Sequence, residues 1–156
     1  WYTGERWGAL VQLKVSDVYD QHGKPLENIT FRKNTRKKRT DGTADTRQVP
    51  IHPNLLESLK NYKPDSDQWM FPGTGTREHL CLRRASSILS HAVEKAGLKA
   101  KGISTHSTRR TFITKLHNNG CSVATIKRIT GHKDYKSLDS YIEVGSDVIK
   151  GAIFAL

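Results

Sequence analysis

Cysteine is scarce in this chain. Its 156 residues include two, Cys81 and Cys121, with no Cys-x-x-Cys pair. That excludes a disulfide scaffold and fits a reducing cytoplasm. Long apolar runs are also missing: no stretch approaches the ~18 residues of a membrane span, and the chain opens with no secretory leader pattern. Carboxylates are the minority charge, 15 Asp+Glu against 26 Lys+Arg. The clustered acids of a two-metal nuclease are therefore not to be found around Asp134, Asp139 and Glu143. There is no His-Glu-x-x-His helix and no Cys/His cluster at zinc spacing, so His106, His117 and His132 are not expected to be metal ligands.

What is abundant is positive charge. A net charge of +11 and a pI near 9.8 suit a surface that attracts a polyanion, nucleic acid first. The length suits one domain with a real core, so residues 1–156 are expected to form one domain. The first residue is Trp1 rather than Met, inside what reads as the start of a helix. The chain is therefore expected to be a fragment of a longer protein.

Taken in order, Thr3 is expected to cap a helix carrying Leu10, Val11 and Leu13, with Arg6 in a first turn suited to meet phosphate. Residues 15–19, 27–32 and 47–51 read as short strands. Ile29 and Phe31 alternate with polar neighbours in the second, and Pro50 marks an edge or end in the third. Between the last two lies a basic loop, residues 33–45, with Lys33, Arg36, Lys37, Lys38 and Arg39 and a flexible Asp41-Gly42. Its solvated reading competes with one in which it follows a DNA groove, and the net charge favours the groove. Helices are expected over residues 53–62, 80–96 (Ile88, Leu89, Ala92 and Val93 buried), 106–119, 123–130 and 135–144. Ser122 should cap the fourth of these, Gly97 and Gly131 should act as stops, and residues 148–156 form a last apolar segment. Arg83 and Arg84 are offered to backbone phosphates. The fold class is α+β, mainly helical, with a small three-stranded antiparallel sheet at one side.

Four side chains between Ser104 and Val144 carry the chemistry: His106, Arg109, His132 and Tyr141. Each has a commoner structural explanation when taken alone, as a cap, a surface charge or a core plug. Together with Arg6 and a loop lysine they make a set for phosphoryl transfer. Guanidiniums neutralise the non-bridging oxygens, and a histidine moves the proton of a phenol whose ordinary pKa of ~10 makes it a poor nucleophile unaided. A lysine can protonate the departing oxygen, and a second histidine can support the developing charge.

These residues fall into boxes that resemble the tyrosine recombinase (phage integrase) family. Thr3-Gly4-Glu5-Arg6 is similar to its T-G-x-R box, His106-Ser107-Thr108-Arg109 to its H-x-x-R box and Gly131-His132 to its G-H box. Tyr141 lies nine residues past His132, where the family keeps its nucleophile. The resemblance covers nearly the whole chain and implies the catalytic domain alone, without the family's N-terminal DNA-clamping domain. It implies that Tyr141 attacks the scissile phosphate to form a 3′-phosphotyrosyl link. Arg6 and Arg109 would hold the phosphate oxygens, His106 would serve the phenol proton and His132 would support the phosphate. A lysine of the loop would be the general acid, Lys33 fitting best with Lys37 and Lys38 as alternatives. Arg32, Arg36, Lys37, Lys38, Arg39, Arg83 and Arg84 would contact DNA. The implied partner is double-stranded DNA bearing a specific recombination site, with a homotetramer on two synapsed duplexes, although this fragment could be monomeric. No metal, ATP or other cofactor is implied, and the setting is cytoplasmic and DNA-associated. The rivals are a type IB topoisomerase-like nicking-closing enzyme and a non-catalytic DNA-binding regulator. Two positions depart from the family pattern: Ala9 stands where an acid is common, and Thr130 where leucine often precedes Gly-His.

Overall fold

Alternation along two short strands builds the sheet. In the computed structural model β1 (Asn28–Phe31) pairs antiparallel with β2 (Arg47–Pro50), setting Ile29 opposite Val49 and Phe31 opposite Arg47. Side chains two apart share a face, so Ile29, Phe31, Arg47 and Val49 are buried while their neighbours are not. The structure describes every residue except 39–41, 76–77, 133, 140, 143–145 and 155–156, and the side chains of 146–148 and 152. The chain separates into two compact units, Trp1–Arg109 and Arg110–Leu156, each described by itself below.

In the first unit, Ile29, Phe31 and Val49 pack with Ala9, Leu13, Val18, Tyr19, Leu59 and Met70 in one core. Each large apolar side chain buried this way contributes about 1.5–3 kcal/mol. Around it stand α1 (Trp7–Leu10), α2 (Pro53–Asn61) and α3 (Leu82–Lys95). Pro53 opens α2, where its missing N–H costs nothing. The first residues of α4 (Thr105–Asn118) also belong to this unit.

Among the described residues the sheet has two strands, not the expected three. The segment taken for the first strand holds a 3₁₀ turn at Val15–Asp17. The Asp17 carboxylate accepts the Lys14 amide at 2.8 Å and pairs with Arg32 at 3.0 Å. An acid that bonds the backbone three residues back favours a turn over a ladder. Only the flanks keep strand character, as isolated bridges of Lys14 with Trp69 and Tyr19 with Pro25.

Two further expectations change. The first helix begins at Trp7, and Thr3 does not cap it: its hydroxyl accepts the Glu5 amide at 3.3 Å instead. Arg6 occupies the N-cap position of a single turn, too short for a helix dipole of any consequence. On α3 the buried residue is Ala85, whereas Ile88 is 51% exposed. Ile88 stands with Trp7, Leu10, Val11, Phe71 and Leu80 along an open apolar groove. Leu89 and Val93 are half-buried and Ala92 is exposed.

The second unit is built on Ile113, Ile126 and Leu138, all fully buried, with Phe112, Leu116, Val123, Tyr141 and Ile142 packed around them. Its helices are the rest of α4, then α5 (Val123–Thr130), α6 (Lys136–Asp139) and α7 (Ser146–Phe154). Ser122 caps α5 by accepting the Thr125 amide at 3.2 Å, as its sequence position suggests. Of the helix expected over 135–144, α6 is a single turn, and residues 140, 143 and 144 lie outside the described ones. That turn is started by Asp134, whose carboxylate accepts the Ser137 amide at 2.7 Å. Tyr141 follows in a turn, its amide donating to Leu138 O at 2.8 Å.

Candidate active site

In the first unit, a cluster of charged groups is organised by Gly4 and Glu5. Gly4 has φ +59°, a left-handed conformation that any Cβ would strain. The loop around it gives two carbonyls to arginines: Arg47 Nη2 donates to Thr3 O at 2.8 Å and Arg109 Nη1 to Gly4 O at 2.6 Å. The Glu5 carboxylate, 2% exposed, draws in three guanidiniums. Arg36 Nε and Arg47 Nη1 each donate to its Oε2 at 3.0 Å, and Arg109 Nη1 lies 3.8 Å from its Oε1. The Arg6 amide donates to Oε1 at 2.9 Å.

Burial pushes the Glu5 carboxyl upward, but the Arg6 amide and the charges of Arg36 and Arg47 outweigh it and hold its pKa below the ordinary value. Arg47 is lowered chiefly by burial, against the opposing charge of Glu5. A buried carboxylate among several arginines satisfies the rule that buried charges are paired. Here it also spaces like charges that would otherwise repel.

Arg36 and Arg109 of this cluster also line a cavity of about 320 Å³, together with Arg6, Trp7, Lys37 and His106 among others. His106 and Arg109, three apart on α4, share one helical face as their spacing requires. Arg109 is buried to 3% exposure and His106 is exposed. The Trp7 indole donates to Thr108 Oγ1 at 3.1 Å, joining α1 to the same helix within this unit. Thus Arg6, His106 and Arg109, from boxes about a hundred residues apart in sequence, line one basic cavity of a size that accepts a phosphate.

The loop cations divide. Lys33 is exposed on a 3₁₀ turn, Lys33–Thr35, its amide donating to Thr46 Oγ1 at 3.3 Å, and it is not among the cavity residues, whereas Lys37 is. Arg32 is engaged inside the unit, by Asp17 at 3.0 Å and by the Gln12 carbonyl. Arg36 is likewise held, by Glu5 and by Asp45 O at 2.8 Å. Lys38, Arg83 and Arg84 are exposed. Arg39 lies outside the described residues.

The second unit holds His132 and Tyr141 together, their ring centroids 6.2 Å apart and tilted by 45°. Gly131, at φ +70°, ends α5, and the amides of Gly131 and His132 both donate to Lys127 O, at 2.9 and 3.2 Å. Tyr141 is half-buried against the Ile113, Ile126 and Leu138 cluster, and Thr114 Oγ1 donates to its carbonyl at 3.2 Å. Beside it opens a groove lined by Arg110, Thr111, Thr114, Lys115, His117 and Asn118. The Ser137 amide and hydroxyl hold the Asp134 carboxyl below its usual pKa, with a smaller share from the charge of His132.

Sequence reasoning missed the parts played by Glu5 and Arg47 in the charged cluster. Arg47 had a signal in the alternation of Arg47, Val49 and Ile51, which puts the guanidinium on the apolar face. Glu5 had none beyond its place inside a box, since only the fold brings Arg36, Arg47 and Arg109 to it.

Comparison with known proteins gives four further matches. The model of the phage integrase family matches residues 1–146. The tyrosine recombinase XerD of Brucella suis is 29% identical over 150 residues, covering 91% of this chain and 45% of XerD. This chain therefore spans about half the length of the curated relatives it matches. Among solved structures, XerA recombinase superposes with a TM-score of 0.70 at 23% identity, covering 99% of this chain and 54% of XerA. The Tn1549 transposon integrase, in complex with transposon right end DNA, superposes with a TM-score of 0.71 at 18% identity, covering 99% of this chain and 56% of that one.

Proposed function

Because this chain belongs to the phage integrase family, we propose that it is the catalytic part of a site-specific DNA recombinase, cutting and rejoining strands through a 3′-phosphotyrosyl intermediate. The observation that supports this most is the cavity shared by Arg6, His106 and Arg109, three groups that bind a phosphate and move a proton beside it. The partner is double-stranded DNA carrying a recombination site, in the cytoplasm, with a homotetramer on synapsed duplexes.

In this reading the Tyr141 oxygen forms a bond to the scissile phosphorus as its proton passes to His106. Arg6 and Arg109 neutralise the non-bridging oxygens, and His132 supports the charge that builds there. The bond to the 5′ oxygen breaks, and that oxygen leaves with a proton from Lys33. The phosphotyrosyl ester keeps the energy of the broken bond, so attack by a 5′-hydroxyl reverses the sequence without ATP. A DNA substrate nicked close to the cleavage position loses its short 5′ product and should leave the protein covalently joined to DNA on a denaturing gel, in EDTA. Adduct formation that needs a divalent cation would contradict the mechanism.

The general acid is testable by its leaving group. A 5′-thiolate departs without a proton because thiols are far more acidic than alcohols. Lys33→Ala should therefore lose cleavage of ordinary DNA and recover it on a substrate with sulfur at the 5′ bridging position. Lys37→Ala should weaken binding on both substrates equally. Rescue of Lys37→Ala instead would move the role to the lysine that lines the cavity.

The exposed cations Lys38, Arg83 and Arg84 are proposed to meet backbone phosphates. Each contact neutralised releases condensed counterions, so replacing any one by alanine should flatten the plot of log K against log salt by about 0.9. Binding measured by fluorescence anisotropy across salt concentrations reads this directly. An unchanged slope in all three variants would take these residues out of the DNA interface.

A further inference from the structure

We infer that Thr130 is a positioning residue for His132, fixing which ring nitrogen carries the proton. The inference rests on the reading of His132 as a group that acts at the phosphate. Thr130 is fully buried at the end of α5, at the position where the sequence departs from the leucine common before Gly-His. Its Oγ1 lies 2.7 Å from Ile126 O and 2.5 Å from His132 Nδ1, with Lys127 O further off at 3.5 Å.

The direction of these bonds follows from valence. A hydroxyl has one proton and can also accept. A carbonyl oxygen cannot donate, so the 2.7 Å approach to Ile126 O requires that Thr130 gives its proton there. Its oxygen is then the acceptor toward His132, and Nδ1 must carry hydrogen. The bond made by one ring nitrogen sets the state of the other. In the neutral ring Nε2 is therefore unprotonated and able to take a proton, and in the cation it becomes a donor. The Nδ1–H to Thr130 bond is the same in both states, so the ring keeps its orientation through a proton cycle at Nε2. The backbone of His132 is held as well, by Lys127 O through the left-handed turn at Gly131. Ring and backbone are thus fixed from the same helix end. Leucine at this position would supply packing and no acceptor.

The test uses two substitutions, T130V and T130S, in the full chain. Valine keeps the volume and removes the hydroxyl; serine keeps the hydroxyl. With ¹⁵N-labelled histidine, and the His132 resonances identified by their loss in H132Q, the neutral wild-type ring should show a protonated Nδ1 and a bare Nε2. T130S should show the same. T130V should shift the ring toward the Nε2–H tautomer and slow adduct formation about 10-fold, the low end of the effect that outer hydrogen-bond partners of metal-ligating histidines carry. T130S should stay within about two-fold of wild type. Thermal melts confirm that each variant is folded. An Nε2–H signature in the wild type, or an Nδ1–H signature that persists in T130V, overturns the assignment. A tautomer that shifts as expected while T130V and H132A both cleave at the wild-type rate would instead sink the role of His132 at the phosphate.

Discussion

Tyr141→Phe should bind duplex DNA as the wild-type protein does and form no covalent complex with it. The substitution removes one oxygen and leaves the ring, which packs against the Ile113, Ile126 and Leu138 cluster. Stability and DNA affinity should therefore change little, while cleavage falls by orders of magnitude, as expected when a nucleophile is deleted. Binding by anisotropy and adduct yield on a denaturing gel separate the two quantities. An adduct of normal yield in the Phe variant would mean that another hydroxyl attacks. Loss of binding together with cleavage would mean that the phenol serves DNA contact or packing rather than chemistry.

Glu5→Gln carries the second large effect, and it reaches both stability and chemistry. Glutamine keeps the size of the side chain but withdraws the charge on which Arg36 and Arg47 converge at 3.0 Å. Breaking a buried ion pair from one side leaves uncompensated charge and costs about 3 kcal/mol, which in a chain of this size lowers the melting temperature by roughly 10 °C. The pH dependence has a definite sign. The folded carboxyl has its pKa below the ordinary 4.5, so its contribution is fully present above that value and is lost as pH falls through the lower, folded value. Wild type should lose stability over that acid range, and Glu5→Gln should lose less of it. Cleavage should fall about 100-fold through misplacement of Arg109, the cost of a shift of about 1 Å in a positioned group. Equal acid sensitivity in the two proteins, read by denaturant melts across pH, would show that Glu5 does not hold the cluster.

The candidate site was legible wherever chemistry and spacing lie close in sequence. His106 and Arg109 are one helical turn apart, and His132 follows a glycine that ends α5, so local rules reach them. The same holds for α2 and α5, whose proline, serine and glycine signals mark real ends. It failed where a side chain bonds its own backbone. Asp17 turns an expected strand into a 3₁₀ turn. It failed again where charge is buried by distant partners. Nothing near Glu5 announces that Arg36, Arg47 and Arg109 will gather on it, because that meeting depends on β2 placing Arg47 on its inner face and α4 bringing Arg109 to the Gly4 loop. Ala9 stands where the family often has an acid, and Glu5, four residues earlier, is the carboxylate nearest Arg109 among the contacts described. On α3 the apolar period was real, but Ile88 lies on an open groove rather than in the core.

The phenol oxygen of Tyr141 is the atom proposed to take the DNA strand. Trapping the adduct in EDTA, digesting it with trypsin and nuclease, and fragmenting the peptide that spans residues 137–150 locates the nucleotide directly. That peptide carries serines as well as the tyrosine, so the site of the added mass is decisive. The prediction is a phosphoester on Tyr141 joined to the 3′ side of the cut strand. A nucleotide on any serine, on a histidine or on the 5′ side would contradict it.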